Sequence, residues 1–271
     1  TGSYAIRLLD FADALPLTLG SPIELVQTPG NSTAVYSFAA SAGDDLYFQH
    51  ISGSTSPYWR LYDPLGRDVF TPGPLGDGPV RDLPLTGDYT LVVEGRIGTT
   101  SPQTTAFAIH RMVEQTAALS LGEVVSSTLG NPGERDNYTF TLAQDTRLLF
   151  DSLTANDAVA WTLTGPSGTI ASRDFLRSDS FNRSDSTAIF ALAGEYTLTI
   201  ASGGDFAGPY AFRLIDLAAA TTLPLGVPAS GTLDPGNQAR ILTFDASAGE
   251  RFFFDAQGQN GSNVWRLRSE E

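Results

Sequence analysis

Carboxylates are the side chains with the most chemical potential in this chain. Asp174, Asp179, Asn182 and Asp185 stand close together in one polar stretch, Arg173 to Ser186, and such a density of hard oxygen ligands suits a calcium ion. Calcium is therefore the cofactor the sequence points to, with the adjacent pair Asp44-Asp45 as a second place for it. The competing reading is a salt-bridged surface loop. Arg173, Arg177 and Arg183 are threaded through the same stretch and would neutralise much of its charge, and neither an Asp-x-Asp-x-Asp-Gly loop nor a glycine-rich nonapeptide occurs.

Other chemistries are excluded more firmly. The 271 residues include no cysteine, so there are neither disulfides nor thiolate metal sites, and no lysine, so a phosphate loop ending in Gly-Lys is ruled out. The 2 histidines, His50 and His110, fall at non-equivalent strand positions, with no Gly-x-Ser-x-Gly elbow or His-Glu-x-x-His run to recruit them. A glycosidase needs two carboxylates at a set separation across a cleft, and the 30 scattered acidic residues single out no such pair. These residues describe a protein that is not an enzyme, with no catalytic residue to name. Against 16 basic residues the acids leave a net charge of -14, which repels a phosphate backbone and excludes a nucleic-acid partner. No apolar run approaches the ~18 residues of a membrane-spanning helix, and the start of the chain lacks the basic residues and apolar centre of a signal peptide.

What must position these side chains is a repeat. Leu119-Ser-Leu-Gly122, Pro132-Gly133, Tyr138-Thr-Phe140 and Trp161-Thr-Leu163 follow one another in mid-chain. Upstream stand Leu17-Thr-Leu-Gly20, Pro29-Gly30, Tyr36-Ser-Phe38 and Trp59-Arg-Leu61; downstream stand Leu223-Pro-Leu-Gly226, Pro235-Gly236, Leu242-Thr-Phe244 and Trp265-Arg-Leu267. The tryptophans are 102 and 104 residues apart and the Pro-Gly pairs 103 and 103. A solenoid unit is only ~20 to 50 residues, so whole domains recur. The boundaries read as 1–12, the last strand of a preceding repeat and its linker; 13–113, a first β-sandwich; 114–217, a second; and 218–271, the N-terminal half of a truncated third. Thr1 to Leu8 matches Gly208 to Leu214, which closes the second unit, so the chain is expected to be an excerpt from a longer array.

The pattern within a unit is all-β: tandem antiparallel, jelly-roll-like β-sandwiches, two complete plus the truncated third. Tyr89-Thr-Leu-Val-Val93 and Tyr196-Thr-Leu-Thr-Ile200 alternate with the period of a half-buried strand, each after a Gly-acid turn (Gly87-Asp88, Gly194-Glu195). In the second unit strands are expected over 124–129, 137–142, 147–151, 158–164, 169–172, 187–191, 196–201 and 210–215, separated by turn signals. The alanine-rich joints Asp10 to Leu15, Glu114 to Leu119 and Asp216 to Leu223 read as short stiff linkers with at most one helical turn. Trp59, Trp161 and Trp265 are expected between the sheets, because the leucine two residues on shares each tryptophan's face. Residues 222 to 271 carry Phe252-Phe-Phe254 and Trp265 without the strands that would cover them, and in isolation should expose apolar surface, stay loosely ordered or borrow strands from a second molecule.

These motifs, in this order, resemble the bacterial pre-peptidase C-terminal domain. The likeness rests on Gly231-Thr-Leu233, on Tyr36-Ser-Phe38 and Tyr138-Thr-Phe140, and on the turns Ala42-Gly43 and Ala248-Gly249 before aromatic strands. It continues in the hairpin Leu61-Tyr-Asp-Pro-Leu-Gly66 and in the closing Gly-x-Tyr and Tyr-x-Phe/Ile strands. The second unit departs from it at Ala143-Gln-Asp-Thr146 and at Thr164-Gly-Pro-Ser167. The resemblance implies a secreted, non-catalytic sandwich of a large extracellular or cell-surface bacterial protein, some of whose relatives bind calcium or matrix polymers. One function it implies is a structural and adhesive array whose partners are neighbouring repeats of the same chain. The other is a carbohydrate- or protein-binding module that targets an attached hydrolase to extracellular polysaccharide or protein.

Overall fold

The computed structural model describes residues 4–178, 188–258 and 265–267. The first strands are β1 (Leu15–Pro16), β2 (Ile23–Gln27), β3 (Thr33–Ala40), β4 (Asp45–Gly53), β5 (Tyr58–Tyr62), β6 (Gly73–Pro74), β7 (Gly78–Val80), β8 (Gly87–Glu94) and β9 (Gln103–Met112). They form two sheets, ordered β1-β3-β8-β5-β6 and β2-β9-β4-β7. The plan returns in β10 (Gln115–Ala118), β11 (Val125–Leu129), β12 (Arg135–Leu142), β13 (Thr146–Ser152), β14 (Val159–Gly165), β15 (Gly168–Asp174), β16 (Ile189–Ala191), β17 (Gly194–Ser202) and β18 (Gly208–Asp216). Here the sheets are β10-β12-β17-β14-β15 and β11-β18-β13-β16. The protein is all-β, a pair of jelly-roll-like sandwiches in which pairing is antiparallel except at one edge of each. Among the described residues no helix is long and apolar enough to cross a membrane.

Side-chain alternation explains why these segments are strands. Along β12, Asp136, Tyr138, Phe140 and Leu142 are buried while Arg135, Thr139 and Thr141 are exposed, the period of two that a pleated ribbon imposes. Trp59 and Trp161 lie between the layers at 5% and 1% exposure. Trp161 stacks on Phe150 with centroids 4.3 Å apart and donates its indole N–H to Ser178 Oγ at 2.6 Å. Trp59 meets Phe48 edge-on at 5.1 Å. Truncating such a residue to alanine costs ~3–5 kcal/mol, so each tryptophan is a principal support of its sandwich.

The Gly-acid-Tyr motif has a steric origin. Gly87 and Gly194 have φ of +149° and +145°, and an added Cβ would lie 2.8 Å from Pro64 Cγ and 2.4 Å from Pro166 Cγ. The tyrosine hydroxyl then donates four residues back, Tyr89 to Leu85 O and Tyr196 to Leu192 O, both at 2.8 Å. At Gly165, where the first sandwich has Asp63, a Cβ would come within 2.1 Å of the Tyr196 ring.

The expectation for the joints needs correction. Phe11–Asp13 and Leu217–Ala219 do form single 3-10 turns, each capped by the preceding aspartate, Asp10 or Asp216. Each joint then becomes a strand, however. β1, β10 and β19 (Thr221–Thr222) pair in parallel with β3, β12 and β20 (Leu242–Thr243). Alanine disfavours strands, but the sheet edge beside it offers unpaired backbone groups, and pairing with them outweighs the weak local propensity. The third segment exposes its aromatic residues, Phe253 at 90% and Trp265 at 57%.

Candidate functional site: the joints between sandwiches

Of the acidic residues singled out for calcium, the structure describes Asp174, Asp44 and Asp45. Asp174 ends β15, where its carboxylate accepts from the Arg177 backbone N–H at 2.6 Å and from Arg177 Nη1 at 2.8 Å. Asp179, Asn182 and Asp185 lie outside the described residues. Asp44 is ion-paired with Arg111 at 3.0 Å, and Asp45 with Arg81. Among the described residues no three His, Cys, Asp or Glu side chains are grouped to hold a metal.

The buried carboxylates close local structures. Asp63 accepts from the backbone N–H groups of Leu65 and Arg67 and pairs with the Arg67 guanidinium at 2.6 Å. Burial alone would raise its pKa, but these donors outweigh it and hold the carboxyl below its usual range. Glu134 folds the Pro-Gly turn by accepting from the N–H groups of Gly130 and Asn131 at 2.6 and 2.8 Å. Asp136 lies in the core, where it accepts from Tyr210 Oη and from Ser127 Oγ. Burial, with the Asp136 contact next, pushes the Tyr210 hydroxyl far above its ordinary value. An open cavity of about 460 Å³ is lined by Asp63, Arg67, Asp68, Arg81 and Asp82; Asp63 is paired with Arg67, and Arg81 with Asp45 and Glu114.

Organised polar and apolar contacts gather instead where one sandwich meets the next. On β4 and β9, Leu46, Phe48, Phe107 and Ile109 belong to the core of the first sandwich. Their alternates Tyr47, Gln49, Ala108, His110 and Met112 point to the other face. Tyr47 and Met112 are nevertheless only 6% exposed, because the Pro132-Gly133 turn between β11 and β12 lies against them. An added Cβ on Gly133, whose φ is +78°, would sit 2.3 Å from Tyr47 Cδ2 and 2.9 Å from Met112 Sδ. Tyr47 donates its hydroxyl to Gly204 O at 3.3 Å. Burial, with Asp77 and Asp205 adding to it, pushes the Tyr47 pKa up to about 12. Glu114 accepts from Arg81 Nη1 at 3.1 Å on one side of the joint and from Asn137 Nδ2 at 3.5 Å on the other.

The second joint has the same plan and different chemistry. Phe150 pairs with Leu214 as Phe48 does with Ile109, so Leu149, Asp151, Arg213 and Ile215 replace Tyr47, Gln49, Ala108 and His110. Arg213 Nε donates to Asp151 Oδ2 at 3.0 Å and Arg213 Nη2 to Ala239 O at 2.7 Å. Asp151 Oδ1 accepts from the Ala239 N–H at 3.0 Å, and Asn237 Nδ2 donates to Ser152 O at 3.1 Å. The Pro235-Gly236 turn is thereby clasped by a largely buried ion pair. At the head of the chain Arg7 donates to Thr33 O. Each arginine reaches a carbonyl 26 residues ahead, and both ends of the bond recur 206 residues on, Arg7 to Arg213 and Thr33 to Ala239.

Sequence reasoning passed over these residues, because outward strand positions read as solvent-facing. The available signal was the arginine shared by the matched segments Tyr4-Ala-Ile-Arg7 and Tyr210-Ala-Phe-Arg213, with Ala108 at the corresponding place between them.

No protein-family model and no curated protein sequence matches the chain. Among solved structures it is similar to PliG, a periplasmic inhibitor of g-type lysozyme from Aeromonas hydrophila, at 16% identity and a TM-score of 0.32, over 36% of this chain and 95% of that one. It is similar to the pre-peptidase C-terminal domain of collagenase from Bacillus anthracis, at 17% identity and a TM-score of 0.28, over 38% and 95%. It is also similar to the CUB1-EGF-CUB2 domain of human MASP-1/3, at 10% identity and a TM-score of 0.25, over 71% and 99%. Likenesses this low carry no function across, and the architecture rests on the sheet pairings themselves.

Proposed function

We propose that this chain is a non-catalytic structural array whose sandwiches dock on one another to form a stiff spacer in an exported, cell-surface protein. The observation that carries the reading is the construction of the joints. The Pro132-Gly133 and Pro235-Gly236 turns seat on the outward face of the preceding sandwich, and each linker becomes a strand of the unit that follows, so little free chain separates them. Flexible connections would leave Tyr47, Met112 and Asp151 solvated, whereas here they are buried. The motifs shared with pre-peptidase C-terminal domains support the exported setting, and the partners in this reading are neighbouring repeats. Backbone ¹⁵N relaxation of the full chain tests it. A common correlation time for the first and second sandwiches is the expected result; separate tumbling of each at the rate of a free domain of ~100 residues would overturn it.

A further inference from the structure

We propose that the joint between the first two sandwiches is an acid-released latch built on His110, whereas the second joint holds through the same pH range. The proposal rests on the stiff-spacer reading and adds a condition under which the spacer bends. His110 stands on the outward face of β9, inside the patch covered by the second sandwich. Its Nε2 bonds Gln49 Oε1 at 2.8 Å, which assigns the proton of the neutral ring to Nε2. Nδ1 is buried without a hydrogen-bond partner. Protonation would place a second N–H at this buried, unbonded position, where the Asn131 side chain offsets only part of the cost of the charge.

The groups around the ring do not supply a counter-charge sufficient to reverse this. From β4 it meets Tyr47, which stays neutral up to about 12, and Gln49. Ala108 and Met112 flank it on its own strand. The second sandwich contributes Asn131, Gly133 and, from the turn after β17, Asp205; Asp77, near Tyr47, comes from the β6–β7 turn. The Arg111–Asp44 pair is one residue along β9, and Arg81 is committed to Asp45 and Glu114. Burial holds the His110 pKa below its ordinary 6.5, with Asn131 and Asp205 offsetting only part of the effect. The docked joint thus binds fewer protons than the open one. Docking is complete above pH ~6.5 and weakens as pH falls below it, by up to about tenfold per pH unit, until the docked ring itself protonates.

At the second joint the corresponding residue is Ile215, and the clasp is Arg213 with Asp151. Neither histidine of the chain lies there, so no group of that clasp has its ordinary titration between pH 5 and 8.

Single-molecule energy transfer across each joint in the full chain tests the proposal, since the absence of cysteine allows specific labelling. Dyes on Leu65→Cys and Ser167→Cys report the first joint, and dyes on Ser167→Cys and Val227→Cys the second. The expected result is a narrow distance distribution at both joints at pH 8 and a broad one at the first joint alone at pH 5, with far-ultraviolet circular dichroism unchanged. His110→Gln should abolish the broadening and His50→Gln should retain it. Asp205→Asn, a surface change that removes the offsetting charge, should deepen the opening at pH 5. A first joint narrow at both pH values would overturn the latch and leave the spacer intact. Broad distributions at pH 8 would overturn the spacer and the latch with it. Broadening that survives His110→Gln would overturn the assignment to this histidine.

Discussion

Gly133→Ala is the most direct challenge to a docked first joint. Two effects act at this position, and the structure separates them. The backbone φ of +78° is one that L-residues reach at a cost of roughly 1–2 kcal/mol. The new methyl would also press into Tyr47, 2.3 Å from Cδ2 and 2.8 Å from Cγ, with Met112 Sδ at 2.9 Å. Relieving such overpacking typically costs about 1–3 kcal/mol, which brings the expected total to about 2–5 kcal/mol. Gly122 supplies the control, because its φ is +85° and a Cβ there would meet nothing within 4 Å. Gly122→Ala therefore pays only the backbone part.

Hydrogen exchange on the full chain, followed by mass spectrometry, resolves the effect sandwich by sandwich. Gly133→Ala should speed exchange of β4 and β9 peptides in the first sandwich, although the substitution lies in the second. Gly122→Ala should leave those peptides unchanged. In a Tyr47→Ala background the methyl has room, so the excess cost should vanish, giving a coupling of about 1–3 kcal/mol in the double-mutant cycle. Equal effects of Gly133→Ala and Gly122→Ala, or no relief from Tyr47→Ala, would refute the reasoning.

The second joint should respond to charge rather than shape. Arg213→Ala removes the cation from a largely buried ion pair, which costs about 3–5 kcal/mol, and exchange of the Ala239 amide should quicken at least tenfold; an unchanged rate would refute the clasp. Alkali should loosen the first joint, since a Tyr47 pKa raised from 10.0 to about 12 makes docking complete below pH ~10 and progressively weaker towards 12. Ultraviolet titration should show several tyrosines ionising late, Tyr210 among them, and Tyr47→Phe should remove one late-ionising phenol together with the alkaline loosening. Calcium at a hundredfold excess over its dissociation constant would add about 2.7 kcal/mol, roughly ten degrees or more in a domain of this size. The carboxylates of Asp174, Asp44 and Asp45 are already paired with arginines, so a calcium-dependent rise should be abolished by Asp179→Asn; melting curves that coincide with calcium and with chelator would dispose of the ion.

Features governed by a residue's own strand were legible in the sequence, and features governed by a neighbour's surface were not. Alternation in Tyr196-Thr-Leu-Thr-Ile200 identifies β17 because its period is local, and Gly194 could be read as a turn because only its own backbone and Pro166 constrain it. Gln115-Thr-Ala-Ala118 became strand β10 for a different reason: the edge of β12 was available. The joints hide more deeply. Leu46-Tyr47-Phe48 reads as one apolar run, and nothing in that run says that Tyr47 serves a different interface from the residues on either side. Gly133 was noticed as a repeated turn, while its close approach to Tyr47 depends on a side chain 86 residues away. Comparing outward positions between repeats would have helped more than reading either repeat alone. Tyr47 against Leu149 keeps an apolar residue on a face that should be wet, while Gln49 and His110 against Asp151 and Ile215 exchange one polar scheme for another. A face that stays apolar at one position and changes its polar partners at the next must be covered, because solvent alone requires neither.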